Sequence, residues 1–260
     1  MNLKKWYLDF VSDDGVAALC YSAKLRYKGL SLGYSALVNG QYDKDFTAHY
    51  SLQSPCPEIN GNSLQWHSAK WQTGFSWQTD SQAISQPLSL WQTSKGSVQW
   101  HNLIPGAKAQ MHQNQQATSG MGYVEQLSLD IPPWKLPIKR LRWGRFVSQG
   151  ATLVWIMWHL RDGSTKQWLT LNQQAVKTFN LAQQSIACTH GHLHIGQGSP
   201  IRQGYLKDTA FSSIALLQWL FPESILNIYE HKQLAPATFH TDAGEQTEGW
   251  VIDEIVDFPE

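Results

Sequence analysis

The chain has 260 residues, with 20 Lys and Arg balanced by 20 Asp and Glu, and a pI of about 7.2. No basic stripe is visible, which argues against nucleic acid as a partner. No run reaches the roughly 18 apolar residues of a membrane-spanning helix, so no integral membrane segment is expected. Hydrophobic residues make up 42% of the sequence, enough for one large β domain or two smaller ones.

The first residues, "MNLKKWYLDFVSDD", are basic but carry no apolar run after the lysines, so no signal peptide is expected. Cys20, Cys56 and Cys188 are odd in number and far apart, with no CxxC pair. That fits a reducing compartment rather than a disulfide framework or a thiolate metal site. A cytoplasmic location is the expectation, unless a removed leader precedes Met1.

Period-two alternation then dominates. "GVAALCYSAKLRY", "SLGYSALV", "FTAHYSL", "SLQWHSAKWQTGFSWQT", "PLSLWQTS", "SVQWHNL" and "GYVEQLSLDI" are strand candidates in the first half. "RWGRFVS", "ATLVWIMWHL", "KQWLTLN", "VKTFNLA" and "SIACTHGHLHIG" continue them in the second. Turn signals such as "SDDG", "LVNG", "SKG" and "RDG" separate the runs, as in sandwiches and barrels. The 13 Trp, 9 Tyr and 9 Phe favour sheets and ligand cavities, and also simply fill cores. No sharp internal repeat is visible.

The halves meet in "LDIPPWKLPIKR", where Pro132, Pro133 and Pro137 break any regular strand. One helix is expected from near Asp208, on the spacing of Phe211, Ile214, Ala215, Leu217 and Leu220, with Pro222 ending it. The last segment, "EGWVIDEIVDFPE", reads as an acidic strand or tail at a solvated edge.

Two clusters offer chemistry. If the strands flanking the Pro segment pair as a hairpin, Glu125 lies near Arg145, with Tyr123 and Trp143 beside them. Paired with Arg145, Glu125 is a structural ion. In an apolar pocket its pKa rises and it becomes a general acid. The second cluster is "WYLDFV", where Trp6, Leu8 and Phe10 alternate with Tyr7, Asp9 and Val11. There Asp9 is either a buried, hydrogen-bonded carboxyl or a second acid. His190, His192 and His194 alternate along one strand, but no carboxylate stands beside them in sequence, and no metal site is expected. No phosphate loop, nucleophile elbow or zinc-protease signature appears, and no cofactor is expected.

"WYLDFVSDDG", "GMGYVEQ" and "LRWGRF", followed by "PIRQG…DTA" and "NIYEHKQ", resemble the carotenoid 1,2-hydratase (hydroxyneurosporene synthase)/AttH-like family in content and order. Trp6, Tyr7 and Asp9 match the first motif, and Trp143, Gly144 and Arg145 the third. Gly122, Tyr123 and Glu125 match the second, where the family more often has Asp followed by His. Here Gln126 occupies the His place. The resemblance implies an all-β fold of two lipocalin-like antiparallel barrels. We place these at 1–134 and 135–260, with the one short helix in the C-terminal half.

An eight-stranded barrel can enclose one apolar ligand. The implied function is binding of an apolar, isoprenoid- or lipid-like molecule, with acid-catalysed hydration or isomerisation of a carbon–carbon double bond if the protein is an enzyme. Glu125, Asp9 and Tyr123 are the candidate catalytic residues. Trp6, Tyr7, Trp143 and Arg145 are the candidate ligand-binding residues. A non-enzymatic lipid carrier or an interaction protein of the same fold is the alternative.

Overall fold

The structure is a computed structural model and describes residues 1–27, 29–79, 86–211, 218 and 221–259. Among the described residues, twenty strands form two antiparallel sheets. The first holds β1 (Asn2–Val11), β2 (Val16–Tyr27), β3 (Leu30–Gln41), β4 (Thr47–Ser51), β5 (Glu58–Asn60), β6 (Ser63–Ser68), β7 (Thr73–Gln78), β8 (Leu88–Thr93), β9 (Gly96–Gln113) and β10 (Gln116–Leu129). The second holds β11 (Ile138–Val147), β12 (Thr152–Leu160), β13 (Thr165–Leu171), β14 (Gln174–Ala175), β15 (Phe179–Leu181), β16 (Ser185–Cys188), β17 (Gly191–Ile195), β18 (Ser199–Tyr205), β19 (Tyr229–Thr241) and β20 (Gln246–Asp257). This is the two-barrel, all-β architecture that the alternation and the resemblance imply. By contacts, Met1–Gln41 with Thr47–Lys135 form one compact unit, and Tyr42–Phe46 with Leu136–Glu260 the other.

The strand orders are β4-β3-β2-β1-β10-β9-β7-β6-β5, with β8 on β9, and β14-β13-β12-β11-β20-β19-β17-β16-β15, with β18 on β19. The second order is the first displaced by ten strands, so the chain is an internal duplication. The register matches "FVS" of β1 with "FVS" of β11. Ser12 Oγ accepts from Val16 N at 3.0 Å, and Ser148 Oγ from Ala151 N at 2.9 Å, closing the first hairpin of each unit alike. Gly120 and Gly249 also correspond: a Cβ on either would collide with the carbonyl of Val11 or Val147. Few other residues are shared, because only the turns and close approaches demand them.

Each sheet buries alternate residues on one face. In the first unit Leu8, Phe10, Cys20, Leu37, Trp66, Phe75, Trp77 and Val124 form that core. Phe10 and Phe75 (6.4 Å), Phe75 and Trp77 (5.7 Å), and Trp66 and Phe75 (6.0 Å) make a continuous chain of ring contacts. Phe146, Leu153, Trp155, Leu169, Ile186, Phe239 and Val251 fill the second.

Three expectations change. The strands beside the Pro segment do not form a hairpin. β10 is paired on both edges, by β1 and β9, and β11 by β12 and β20. Neither has a free edge for the other, and the turn at Pro133–Lys135 carries the chain from one sheet to the next. At Asp208 the described chain makes turns, not a helix: Thr209 N donates to Tyr205 O and Phe211 N to Leu206 O. Ile214, Ala215, Leu217 and Leu220 lie outside the described residues. The short helix α1 (Glu223–Leu226) follows Pro222 rather than ending there, since extended Pro222 (φ −67°, ψ 151°) enters a helix as readily as it stops one. The acidic C-terminal segment is no solvated edge either. β20 lies between β11 and β19, and Asp253 is buried.

Candidate functional site

Residues in register on neighbouring antiparallel strands share a face. Tyr7 of β1 stands opposite Tyr21 of β2 and Glu125 of β10; Asp9 stands opposite Tyr123, and Glu125 opposite Asn102 of β9. These side chains therefore gather on the face opposite the core of the first unit. The β9–β10 register shifts around Val124, a local irregularity at the centre of the cluster.

Tyr123 Oη donates to Glu125 Oε2 at 2.8 Å, and Trp100 Nε1 donates to the same oxygen. The Tyr7 ring lies 5.4 Å from Tyr21 and 6.1 Å from Tyr123. Tyr7, Asp9, Tyr21, Trp100, Asn102 and Tyr123 are buried, whereas Glu125 is partly exposed. Burial above all, then the charge and hydrogen bond of Glu125 and the charge of Asp9, hold the Tyr123 hydroxyl well above the ordinary tyrosine range. Tyr123 thus stays a proton donor.

The motif glycines have a steric role. Trp77 Nε1 donates to Asp9 O at 2.8 Å from the core side, and its indole occupies the space a Cβ on Gly122 would need. Gly144 leaves the matching space for the indole of Trp155.

The predicted residues divide. Tyr7, Asp9, Tyr123 and Glu125 come together. Trp6 faces the other way and packs against the core, because it is one residue out of phase with Tyr7. Trp143 and Arg145 belong to the second sheet. There the Lys232 ammonium sits 5.2 Å from the centre of the Trp143 ring and 3.0 Å from Glu254 Oε2. Arg145 is fully buried and donates to Trp250 O at 2.7 Å.

Sequence reasoning missed several participants. Tyr21 and Trp100 join the first cluster, and the "SDDG" hairpin register was the signal for Tyr21. In the second core, Arg142 Nε donates to Asp253 Oδ1 at 3.0 Å, and its other nitrogens donate to Ala182 O and Gln183 O. Trp155 Nε1 donates to Asp253 Oδ1 at 3.1 Å. Burial pushes the Asp253 carboxyl up, against the opposing pull of Arg142 and Trp155. His190 precedes β17, and His192 and His194 are exposed on it. Among the described residues no three His, Cys, Asp or Glu side chains group as metal ligands. A cleft of about 510 Å³ opens at the β6–β7 and β9–β10 turns, lined by His67, Ala69, Gln72, Asn114 and Gln115, and includes none of the clustered residues.

Solved structures cover this arrangement almost end to end. One is CghA, with a TM-score of 0.60 and 8% identity over 98% of this chain and 88% of that one. The AttH-type protein NE1406 of Nitrosomonas europaea aligns with a TM-score of 0.55 and 8% identity, over 97% and 92% of the two chains. Kievitone hydratase of Nectria haematococca gives 0.53 and 9%, over 98% and 88%. The chain has the AttH-like two-barrel fold. No family model and no curated protein sequence matches it. Within the AttH-like fold, identities this low carry the architecture and leave the chemistry to this chain's own residues.

Proposed function

We propose that this AttH-like protein acts on an apolar, isoprenoid- or lipid-like small molecule at a conjugated carbon–carbon double bond, with Glu125 as the reacting group. The observation that carries the reading is a partly exposed carboxylate at the tip of a buried cluster, oriented by Trp100 and Tyr123. As a carboxylate, Glu125 is suited to accept a proton first. In an isomerisation it takes a proton from an activated allylic carbon and returns it at the far end of the shifted double bond, with no net change in atoms. In a hydration it takes the proton of the attacking water, and the same proton then goes to the adjacent carbon. Tyr123 is a positioning residue, holding the carboxylate while keeping its own proton. Asp9, fully buried, acts behind the site through its charge.

Two of the similar structures are kievitone hydratase and CghA with Sch210972. They support a small molecule as the class of ligand. The alternative is a carrier without catalysis. The aromatic contacts count against a ligand held among Phe10, Phe75 and Trp77 in the middle of that barrel.

The test is extraction of the purified protein for co-purifying apolar molecules by mass spectrometry, then turnover of the recovered compound by wild type and Glu125→Gln. Loss of turnover with retained binding and an unchanged unfolding midpoint is expected. Equal turnover by both proteins rejects Glu125. Binding without turnover by the wild type makes the protein a carrier.

A further inference from the structure

The rows of side chains facing the core of the first unit change character along the strands. Leu37, Cys20, Leu8, Val124 and Ile104 follow one another across β3, β2, β1, β10 and β9 as an apolar row. The next row is Ser35, Ser22, Trp6, Gln126 and His101, polar except for Trp6. Beyond it Lys4 stands directly opposite Lys24, and Arg26 opposite Asn2. Lys4, Lys24 and Arg26 are exposed, while Trp6 is partly buried at the edge of the core beneath them. The Lys4 ammonium lies 6.0 Å from the centre of the Trp6 ring.

Like charges directly opposite on paired strands destabilise a sheet. Among the described residues no carboxylate pairs with Lys4, Lys24 or Arg26. Asp130, opposite Asn2 in the continued register, has its carboxylate engaged by the backbone N–H and hydroxyl of Ser97. On the β3 side the chain near Leu52 and Ser54 closes against Gly33, and Ser35 Oγ donates to Gln53 O at 2.6 Å, which walls the rows on that side.

We propose that this end of the first barrel binds a small amphipathic organic carboxylate, with its anionic head among Lys4, Lys24 and Arg26 and its apolar body against Trp6. The guanidinium and two ammonium groups supply charge-assisted donors, and bound carboxylate relieves the Lys4–Lys24 repulsion. The indole face supplies apolar contact where the core would otherwise meet water. The cations stand on the core-facing side of the strands, which favours a free small molecule over a flat lipid surface. This site is separate from the Glu125 cluster, which lies on the opposite face of the same strands.

The experiment is fluorescence titration of the full chain with cis-parinarate, with its methyl ester as the neutral control. Saturable binding of the acid, not the ester, is expected. Lys24→Ala and Arg26→Ala should each weaken it by roughly tenfold. The melting temperature of ligand-free Lys24→Ala should equal or exceed that of wild type, because a repulsion has been removed. Equal affinity for acid and ester, no binding of either, or wild-type affinity in both cation variants overturns the proposal. Sedimentation with phosphatidylserine vesicles but no uptake of free parinarate also overturns it, in favour of a membrane contact.

Discussion

The two units share a strand order and answer the same positions with different chemistry. Where the first core has Trp6, Cys20 and Val124, the second has Arg142, Trp155 and Asp253, joined by hydrogen bonds. On the opposite face Glu125 corresponds to Glu254. Glu254 is neutralised by Lys232, whose place in the first unit is taken by Asn102. Glu125 instead accepts from Trp100 and Tyr123. These contacts therefore differ in kind: a buried ammonium meets Glu254, whereas an indole and a phenol donate to Glu125.

The second core offers the largest test of the contrast. Asp253→Ala leaves the Arg142 guanidinium buried with carbonyl partners alone, and should cost about 3–5 kcal/mol in urea unfolding. Replacing the pair with apolar residues, Arg142→Met with Asp253→Val, copies the character of the first core and should cost clearly less than the single change. If the double variant is the less stable, the two cores are not interchangeable solutions.

Lys232→Met removes the partner of Glu254. Because Glu254 keeps some solvent (17% exposed), the loss should be smaller, about 2–3 kcal/mol, and Glu254→Gln in the same chain should recover part of it. No recovery would mean that Lys232 acts through the Trp143 ring instead.

Gly122→Ala and Gly144→Ala place a methyl group against Trp77 and Trp155, and each should cost about 1–3 kcal/mol through overpacking. Trp155→Phe should recover stability in Gly144→Ala, whereas Trp77→Phe should recover less in Gly122→Ala, where the Asp9 carbonyl also meets the added methyl group. Thermal melts of the double variants decide it.

The smallest effect belongs to Tyr123→Phe, about 1 kcal/mol at neutral pH from one lost hydrogen bond. Its alkaline signature is sharper. The folded pKa of Tyr123 is raised, so the unfolded chain releases this proton from about pH 10 while the folded chain keeps it. The stability linked to Tyr123 is complete below that pH and is lost as pH rises through the folded pKa. Urea midpoints of wild type should fall more steeply above pH 10 than those of Tyr123→Phe.

Alternation alone put Tyr7 and Asp9 on one side of their strand, and Tyr123 and Glu125 on one side of theirs, because side chains in a strand repeat every two residues. The Pro segment marked the change of sheet because Pro cannot join a central ladder. The same local rules were silent on which strands meet. Glu125 and Arg145 have matching parity and lie close in sequence, yet β1 and β9 take both edges of β10 before β11 can. Trp100 reaches Glu125 only through that pairing. The acidity of "VIDEIVD" suggested a solvated edge until β20 was enclosed by β11 and β19, which made Asp253 a buried partner of Arg142. The duplication was hidden for the same reason: backbone hydrogen bonds set the strand order, and few side chains need be kept to preserve it. Local sequence determined strand, turn and face in this protein. Pairing between distant strands decided which faces, charges and aromatic rings came together.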